Sequence, residues 1–550
     1  MENKTIARTL RLFSQLLDLH DENPFKVRSM ANAAFKVDKF PFALSTKTEA
    51  ELSVLDGIGK SIATKIHELL STEHISELDE LLEKTPQGVL EIMQIKGIGP
   101  KKVATIWKEL GIESVGELYY ACNENRLIEA KGFGLKTQQD IIKLIEFKMA
   151  NSGRFLYAKV EAFAEDLGKK LEAAFPTIAV SLSGQYRRRL EIIDQIDIVL
   201  GTPEDTLRKH ALGGSLNEKL QLIADESPIV QFHCCAPDEF GWTLLHTTGN
   251  AEHVAQLQQK LNNTSLLGKT EAEIYTLAGL AYIEPELREG QKELDWGAKN
   301  KLPALISLAD LKGSLHNHST WSDGVNTLEE MALYCKNELK LDYLGICDHS
   351  KSAFYANGLT ESRVAAQHRE IDLLNEKLAP FRIFKGIESD ILYDGSLDYA
   401  DEVLASFDFV VASVHSVLKM TEEKATERLI KAIENPYTTI LGHPTGRLLL
   451  SRSAYPINHE KVIDACAANK VVIEINANPL RLDLDWRWHQ YALEKGVLLA
   501  INPDAHRTEG FLDMHYGVLV GRKGGLPPEK CLNAFSLAEI DTFFKNSKPA

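Results

Sequence analysis

The sequence predicts a multidomain protein of the α+β and α/β classes, with a helical N-terminal region, a mixed middle region and a C-terminal barrel of strands and helices. Three short glycine-containing phrases, each followed by an amphipathic helical segment, predict the N-terminal part. Seven apolar runs beyond residue 310, each ending in a polar cluster, predict the barrel. A chain of 550 residues is long enough for several such domains.

Composition indicates a soluble protein. Hydrophobic residues make up 44% of the chain and charged residues 25%, and the longest apolar runs are far too short to cross a bilayer. The first residues have helical spacing instead of the apolar block of a signal peptide, so we expect a cytoplasmic protein with no membrane partner. The seven cysteines form no CxxC pair, which argues against a zinc ribbon and a disulfide framework.

The three N-terminal phrases share one plan. They read LDGIGKSIATKI at 55–66, IKGIGPKKVATI at 95–106 and AKGFGLKTQQDI at 130–141, and each is a glycine turn that opens a helix with lysine in its first turn. Glycines let backbone N–H groups approach an anion closely, and the helix dipole favours negative charge there. This is the helix-hairpin-helix pattern for binding a DNA phosphate backbone, whereas a single such turn would be a plain helix start. The residues predicted to bind DNA are Gly57, Gly59, Lys60, Gly97, Gly99, Lys101, Lys102, Gly132, Gly134 and Lys136.

Net charge limits how DNA could be held. The formal net charge of −16 argues against a nucleic-acid partner bound by bulk attraction. Nearly all of the excess negative charge lies beyond residue 150, so the helix-hairpin-helix region is close to neutral. Any DNA binding must therefore come from local geometry.

The seven apolar runs are typical of barrel strands. They read LKGSLHNH, YLGICDH, RIFKGIESD, DFVVASVH, YTTILGHP, VVIEINANP and VLLAINPDAH. In such a barrel the C-terminal strand ends meet at one mouth. An isolated histidine at a strand end is usually structural, but six of the chain's 17 histidines fall at these ends, and six of the seven ends carry candidate metal ligands. The nine candidates are His316, His318, Asp323, His349, Glu388, His415, His443, Asp504 and His506.

Imidazole and carboxylate ligands together suit Mn, Zn or Fe, and nine ligands suffice for two or three divalent ions. Such ions lower the pKa of water, orient a phosphate and stabilise the leaving oxygen, which suits phosphoester hydrolysis. Four cations just beyond the strand ends could hold phosphate oxygens or be solvated loop charges: Lys351, Arg447, Arg481 and Arg507. The ligands that we predict to be catalytic are Asp323, His349, Glu388 and His415.

The motifs HNHSTWSDG, CDHS, GIESD, SVHS, GHP and PDAH, in this order, resemble those of the PHP (polymerase and histidinol phosphatase) domain. With the helix-hairpin-helix region ahead and LAGLAYIEPELREG at 277–290 between them, the whole chain resembles a bacterial family X DNA polymerase. The resemblance implies a DNA-repair protein acting on gapped, nicked or 3′-ended DNA, whose PHP domain is a manganese-dependent 3′→5′ exonuclease. We expect Mn, with Zn or Fe as alternatives, and a monomeric protein.

The resemblance also implies a domain order. An N-terminal helical lyase-like domain of the 8-kDa type precedes a fingers-like helix-hairpin-helix domain. A nucleotidyltransferase-like palm, a thumb, a linker and a PHP (β/α)7 barrel with a C-terminal tail follow. The implied ranges are 1–80, 81–150, 151–235, 236–290, 291–310 and 311–550.

The palm departs from the family pattern, in which Gly-Ser-x-Arg-Arg precedes Asp-x-Asp on one strand and a third Asp on a neighbouring strand. Alignment on Gly184 and on the arginine pair at 187–188 puts glutamine at the serine position and Gln-Ile-Asp at the Asp-x-Asp position. Alignment on APDEFGW puts glutamine at the third aspartate, and the family's YFTGS reads HTTGN at 246–250. The residues of this altered site are Gln185, Gln195, Asp197 and Gln231.

These changes predict a palm that no longer polymerises. Two divalent ions that clamp a triphosphate need anionic ligands, and a unit-charge attraction at 4 Å is worth about 4 kcal/mol at an effective dielectric of 20. Each decade of rate corresponds to about 1.4 kcal/mol, so replacing two of three carboxylates should lower the rate by several decades. A rearranged site using Asp194 is the rival interpretation, but strand side chains alternate faces, so Asp194 and Asp197 point apart unless a bulge intervenes.

Lys65 matches the family position whose amine can form a Schiff base with an abasic sugar, which makes it a candidate lyase residue. A solvated helix lysine is the other interpretation. For the whole chain we predict a metal-dependent DNA exonuclease or phosphodiesterase. The alternatives are a non-catalytic scaffold at DNA gaps or ends, a still-active gap-filling polymerase and a small-molecule phosphatase.

Overall fold

The computed structural model describes all residues except 41, 96, 129, 151–152, 211–215, 224–226, 262–264 and 550, and for 147–150 it describes only the backbone. The chain forms two compact units, Met1–Ile145 and Glu146–Ala550. The helices in the described part of the chain are all too short or too polar to cross a membrane. The predicted palm begins at residue 151, which is outside the described residues.

The first unit is helical. Its first helix buries Ile6, Leu10, Phe13 and Leu17, whose spacing forms one apolar face, against the second helix. The helix-hairpin-helix turns precede the fourth, seventh and ninth helices, as the glycine phrases predict. The helices are α1 (Asn3–Leu19), α2 (Pro24–Val37), α3 (Glu49–Ser53), α4 (Lys60–Thr72), α5 (Ser76–Lys84), α6 (Gln87–Met93), α7 (Pro100–Ala104), α8 (Val115–Asn123) and α9 (Leu135–Ala150), the last of which continues into the second unit.

The second unit starts with a four-stranded mixed sheet in the order β2-β4-β6-β5, where β4 and β6 are parallel and the outer pairs are antiparallel. A separate short ribbon pairs β1 with β3. The sheet buries Ile196, Ile198 and Phe232 against Leu167 and Leu171 of a helix. The elements are β1 (Phe155–Leu156), α10 (Tyr157–Ala174), β2 (Val180–Ser183), α11 (Gly184–Arg187), β3 (Ile192–Ile193), β4 (Gln195–Leu200), α12 (Glu204–Lys209), β5 (Gln221–Leu222) and β6 (Ile229–Cys234).

Four helices follow the sheet and share a core that includes Leu245, Leu257, Ile274 and Tyr275. Arg288, although buried, has a charged partner, because its guanidinium pairs with Glu271 at 2.5 Å. The helices are α13 (Phe240–Thr248), α14 (Ala251–Leu261), α15 (Glu271–Leu277) and α16 (Glu293–Ala298).

Seven parallel strands form the C-terminal barrel and follow one another in chain order. A parallel bridge between Asn317 and Ala505 joins the segments that follow the first and last strands, so the barrel is nearly closed. The predicted (β/α)7 architecture is confirmed, and all seven apolar runs contain the strands. They are β7 (Gly313–Ser314), β8 (Tyr343–Ile346), β9 (Arg382–Asp390), β10 (Phe409–Ser413), β11 (Ile440–Leu441), β12 (Val472–Asn476) and β13 (Leu499–Asn502).

The barrel strands are almost entirely buried, as expected for a parallel sheet covered by helices. Capping boxes at Thr327 and Ser536 begin two of the helices around the sheet. The helices are α17 (Leu328–Asn337), α18 (Glu361–Leu378), α19 (Asp401–Leu404), α20 (Glu422–Ile433), α21 (His459–Asn469), α22 (His489–Glu494), α23 (Met514–Lys523) and α24 (Leu537–Ser547).

Buried polar contacts join the barrel to the sheet and helices before it. Lys523, at the end of α23, donates to the carbonyl oxygen of Arg188 at 3.0 Å and also pairs with Glu289. The carboxylate of Glu191 accepts from the indole N–H of Trp486 at 3.2 Å and from Arg487 at 2.9 Å. These contacts make the barrel and the preceding regions of the second unit one packed body.

Candidate functional site

The barrel mouth brings together all nine predicted ligands. Seven of them lie at or just beyond the C-terminal ends of six strands. The other two follow β7: His318 lies two residues beyond His316, and Asp323 lies in the loop after it. All are buried or nearly buried. The strand ends meet because the strands are parallel and adjacent, as the chain order of the apolar runs predicts.

Glu388, close to the end of β9, lies at the centre of the cluster. Its carboxylate oxygens lie 2.9 Å from His349 Nδ1, 3.0 Å from His443 Nε2 and 3.1 Å from His415 Nε2. The Nε2 atoms of His316 and His318 are 3.3 and 3.7 Å away. One carboxylate is therefore surrounded by five imidazole rings.

Two aspartates complete the cluster on the side of β13. Asp504 Oδ1 lies 3.0 Å from His318 Nε2, and Asp323 lies 3.4 Å from His506 Nε2 and 3.5 Å from His349 Nε2. Ligand atoms converge within 4.8 Å of one another in three overlapping groups: His318, Asp323, His349 and His506; His316, His318 and Asp504; and His349, Glu388 and His415.

The ligand atoms fit divalent ions. Several buried atoms make no hydrogen bond to any described residue: His316 Nε2, both ring nitrogens of His318 and His349, Asp323 Oδ2 and Glu388 Oε2. Buried polar atoms normally have partners, so a concentration of unsatisfied donors and acceptors at one point needs a ligand to satisfy it. Imidazole nitrogens mixed with carboxylate oxygens suit Mn, Zn or Fe.

In the metal-free mouth the surroundings lower the pKa of some histidines and raise that of others. Burial, together with the neighbouring His506 and His349, lowers the pKa of His318 to about 3. Burial also acts to lower the pKa of His415, but the carboxylates of Glu388 and Asp390 outweigh it and raise that pKa to about 9. The pKa of Glu388 is held well below its usual range because His415 and His316 outweigh its burial. At neutral pH the mouth therefore holds carboxylates together with charged and neutral imidazoles.

Two supporting carboxylates were missed by the sequence analysis. Asp390 Oδ1 lies 2.5 Å from His415 Nδ1 and orients that ring. Asp348 accepts hydrogen bonds from the backbone and hydroxyl groups of Ser319 and Ser322, which fixes the loop that carries Asp323. The sequence offered one signal for them: Asp390 lies in the motif ESD two residues after Glu388, and Asp348 lies in CDHS directly before His349.

The four loop cations differ in their surroundings. Lys351 pairs with Glu361 at 2.7 Å. Arg447 binds Asp485 at 2.5 Å and the carbonyl oxygen of Arg481 at 2.8 Å, and so ties together two barrel loops. Arg481 itself is buried. Arg507 is exposed directly beside His506, which leaves its guanidinium accessible to a phosphate.

The altered palm residues lie together but satisfy one another. The strand register pairs Asp197 on β4 with Gln231 on β6. Asp197 Oδ1 accepts from Gln195 Nε2 at 2.8 Å and lies 2.8 Å from His233 Nε2, while Gln231 bonds to Gln221 and to backbone oxygens. Across the described part of 146–550, every cluster of three or more converging His, Cys, Asp or Glu ligands belongs to the barrel mouth.

Asp194 lies between β3 and β4, largely exposed, and accepts a hydrogen bond from Gln185 at 3.1 Å. The retained arginines are held by acids. Arg187 forms a bidentate pair with Glu271 at 2.7 and 2.9 Å, and Arg188 pairs with Glu289 at 3.0 Å. These guanidinium groups are therefore engaged in contacts within the protein.

The three glycine turns share one backbone form. Gly57, Gly97 and Gly132 have φ values of 80°, 90° and 88°, a left-handed conformation that favours glycine. In each turn a second glycine, two residues later, directly precedes the helix, and no neighbouring atom would meet a Cβ built on Gly59, Gly99 or Gly134. The helix N-termini are thus open to an approaching group.

Lys65 of α4 lies at a surface cavity of about 680 Å³ next to the first glycine turn, lined also by Phe25, Lys26 and Lys60. Its ammonium lies 2.8 Å from Glu77, which also pairs with Lys26. Burial and the charge of Lys26 lower the pKa of Lys65. A lowered pKa increases the fraction of neutral amine, which is the nucleophilic form.

Known protein families match the first unit, and one known protein matches the whole chain. The helix-hairpin-helix domain family matches residues 1–75 and the SAM-like helix-hairpin-helix tandem family matches residues 89–145, which confirms the predicted motif. The chain is 33% identical over 574 aligned positions, all of both chains, to the DNA polymerase/3′-5′ exonuclease PolX of Bacillus subtilis.

Shorter relatives match part of the chain. A probable phosphatase of Acetivibrio thermocellus is 29% identical over 247 residues, which cover 42% of this chain and 95% of that protein. A probable phosphatase of a Thermoanaerobacter species is 30% identical over 188 residues, which cover 32% of this chain and 74% of that protein.

Loading the mouth with metal should release protons. Because the pKa of His415 in the metal-free mouth is about 9, its ring is protonated at pH 7 and must lose a proton before its nitrogen can bind an ion. We expect Mn²⁺ affinity to fall as the pH is lowered from about 8 to 6. Calorimetric titration in buffers of different ionisation enthalpy measures the released protons, and His415→Gln should release fewer. Identical heats in all buffers would contradict the assignment.

Proposed function

The chain belongs to the bacterial family X DNA polymerases that carry a PHP domain, and from this membership we propose that it is a DNA-repair 3′→5′ exonuclease or phosphodiesterase. In this proposal the barrel at 311–550 hydrolyses DNA, the helix-hairpin-helix domains within 1–150 bind it, and the palm and thumb at 151–290 contact it without polymerising. The name of the Bacillus subtilis relative, which includes both activities, supports a nucleic-acid substrate.

The observation that carries the proposal is the convergence of nine buried or nearly buried side chains at one mouth, with unsatisfied nitrogen and oxygen atoms facing each other. When bound there, two or three divalent ions, with Mn²⁺ expected, would lower the pKa of a water and offset the negative charge of a phosphodiester. Asp323, His349, Glu388 and His415 are the ligands we place nearest the reacting phosphate. Arg507, exposed beside His506, is available to hold a phosphate oxygen.

The absence of polymerisation is part of the same proposal. Two of three metal-binding carboxylate positions are Gln195 and Gln231, and the remaining Asp197 is already bonded to Gln195 and His233. Neutral amides cannot replace the charge attraction, about 4 kcal/mol per close pair, that holds two ions on a triphosphate. A non-catalytic scaffold and an active gap-filling polymerase are the outcomes that the experiments below would reveal instead.

A second activity, cleavage at abasic sites, is favoured by one observation. Lys65 combines a lowered pKa with a position in a cavity lined by Lys60 and Lys26, which could hold a phosphate next to an abasic sugar. The ion pair with Glu77 opposes this by favouring the charged amine.

Removing single ligands should abolish DNA trimming. We expect Mn²⁺-dependent shortening of gapped DNA to fall at least about 100-fold in His316→Ala and His415→Ala, since a missing ligand removes stabilisation of the transition state. Gel analysis of 5′-labelled strands measures 3′→5′ shortening, and 3′-labelled strands show the first nucleotide released.

The matched control is His253→Gln, which changes a buried histidine of α14 that pairs with Glu293 outside the mouth. This variant should trim DNA at the wild-type rate. Equal trimming by all variants would reject the barrel as the site of cleavage, and a complete lack of trimming by wild type with intact DNA binding would favour the scaffold.

The palm should add no nucleotides. Gapped DNA incubated with Mg²⁺ and deoxynucleoside triphosphates should not be extended by the wild-type chain, whereas Gln195→Asp combined with Gln231→Asp should restore detectable single-nucleotide addition. Adding Asp197→Asn to that double variant should abolish it again. Extension by wild type would rescue the polymerase hypothesis.

The glycine turns should control DNA affinity without affecting hydrolysis itself. Lys60→Ala and the double variant Lys101→Ala/Lys102→Ala should weaken DNA binding, and each phosphate group that is no longer bound should lower the slope of log affinity against log salt by about one. Hydrolysis of bis(p-nitrophenyl) phosphate should stay unchanged. Lys84→Ala, an exposed lysine outside the turns, is the control, and an unchanged salt slope in the turn variants would refute the assignment.

Borohydride should trap wild-type protein on abasic DNA if Lys65 forms a Schiff base. Lys65→Arg keeps the positive charge but cannot form the imine, so its adduct should disappear, while Lys26→Arg should still be trapped. Equal trapping of wild type and Lys65→Arg would assign the amine elsewhere.

A further inference from the structure

β12 is the strand to which the sequence analysis assigns no metal ligand, yet it carries a fully buried acid. Glu474 has no exposed surface and lies beneath the mouth. Its two oxygens receive four contacts. His316 Nδ1 lies 2.7 Å from Oε2, the backbone N–H of His443 donates to Oε1 at 3.1 Å, and the amide groups of Asn476 and Asn502 donate at 3.2 and 3.1 Å.

The contact with His316 selects one form of that ring. An ionised carboxylate is only an acceptor, so the proton of His316 must sit on Nδ1. With Nδ1 committed to Glu474, Nε2 is the ring nitrogen left facing the interior of the mouth, 3.3 Å from Glu388 and 3.6 Å from Asp504, and it is the nitrogen that would bind an ion. A histidine that donates its outer N–H to a carboxylate is the usual arrangement for a metal-binding imidazole.

The other contacts of Glu474 reach two more ligands. His443 has a φ of 20° and Asp504 a φ of 54°, which are backbone conformations that residues other than glycine rarely adopt. Glu474 holds His443 by accepting a hydrogen bond from the backbone N–H of that residue. Asn476 connects Glu474 to Asp504, because its amide group donates both to Glu474 and, at 3.1 Å, to Asp504 Oδ2. One carboxylate thus supports His316, His443 and Asp504, which come from three different strand ends.

We propose that Glu474 is the positioning residue of the metal centre: it sets the tautomer of His316 and holds His443 and Asp504 in place without itself contacting an ion. This inference rests on the metal-binding part of the proposed function, and not on cleavage of DNA. A buried carboxylate with a purely packing role would affect the stability of the fold, but not the affinity for metal once the protein is folded.

The test is Mn²⁺ binding by metal-free protein, followed by electron paramagnetic resonance and calorimetry. Glu474→Gln keeps the shape of the side chain but brings an NH₂ group to a place where four donors already point. We expect the dissociation constant of at least one Mn²⁺ ion to rise by about 10- to 100-fold and the spectrum of bound Mn²⁺ to change. Circular dichroism of the metal-free variant checks that it is folded.

Glu293→Gln is the matched control. Glu293 is also buried and also lies 2.8 Å from a histidine Nδ1, that of His253, but it belongs to α16 outside the mouth. It should leave Mn²⁺ binding unchanged. If Glu474→Gln does not fold, Asn476→Ala is the second variant. It removes the connection to Asp504 and leaves His316 bound to Glu474, and it should still raise the dissociation constant of one Mn²⁺ ion.

Wild-type Mn²⁺ affinity and spectrum in folded Glu474→Gln would overturn the inference, and so would a wild-type chain that binds no Mn²⁺. Weakened binding in Glu474→Gln, together with a wild type that binds Mn²⁺ but never cleaves DNA, would support the positioning role and reject only the nuclease proposal.

Discussion

The barrel mouth depends on the attraction between one buried carboxylate, Glu388, and the five imidazole rings around it. A buried charge without partners costs several kcal/mol, so the acid is tolerated only where cationic groups or ions surround it. The parallel strands supply that geometry, because their C-terminal ends meet at one rim. The same requirement explains why polar residues follow nearly every strand while the strands themselves are apolar.

The mouth and the palm differ in how their buried ligand atoms are satisfied. At the mouth, nitrogen and oxygen atoms converge without hydrogen-bond partners among the described residues, as in His318 and His349. In the palm, Asp197 accepts from Gln195 and lies within hydrogen-bond distance of His233. Side chains of the protein itself thus satisfy Asp197. This contrast separates the two sites better than their residue types do.

The sequence was sufficient to predict the barrel and the convergence of the nine side chains at its mouth, since apolar runs that end in His, Asp or Glu have a simple meaning in a parallel sheet. Glu474 could not be found in this way. It lies inside the run VVIEINANP, where alternation does not distinguish an acid facing solvent from one beneath the mouth. For Arg447 the sequence left two interpretations open, a phosphate ligand and a solvated loop charge. Neither could reveal its partner Asp485, which lies 38 residues away and meets it only in the fold.

Arg188, an arginine of the motif that predicts the palm, takes part in the packing against the barrel. Its guanidinium pairs with Glu289, and Glu289 also pairs with Lys523 of the barrel, which in turn donates to the carbonyl oxygen of Arg188. Glu289 is the acid between the two cations, so removing it would leave Arg188 and Lys523 without this counter-charge, which costs about 3–5 kcal/mol in comparable cases. Arg188 also donates to the carbonyl oxygen of Thr248 at 2.6 Å, so its contacts within the fold are a sufficient reason to keep it. Because the fold itself uses this arginine, its presence in the motif is a weak indicator of a working nucleotide site.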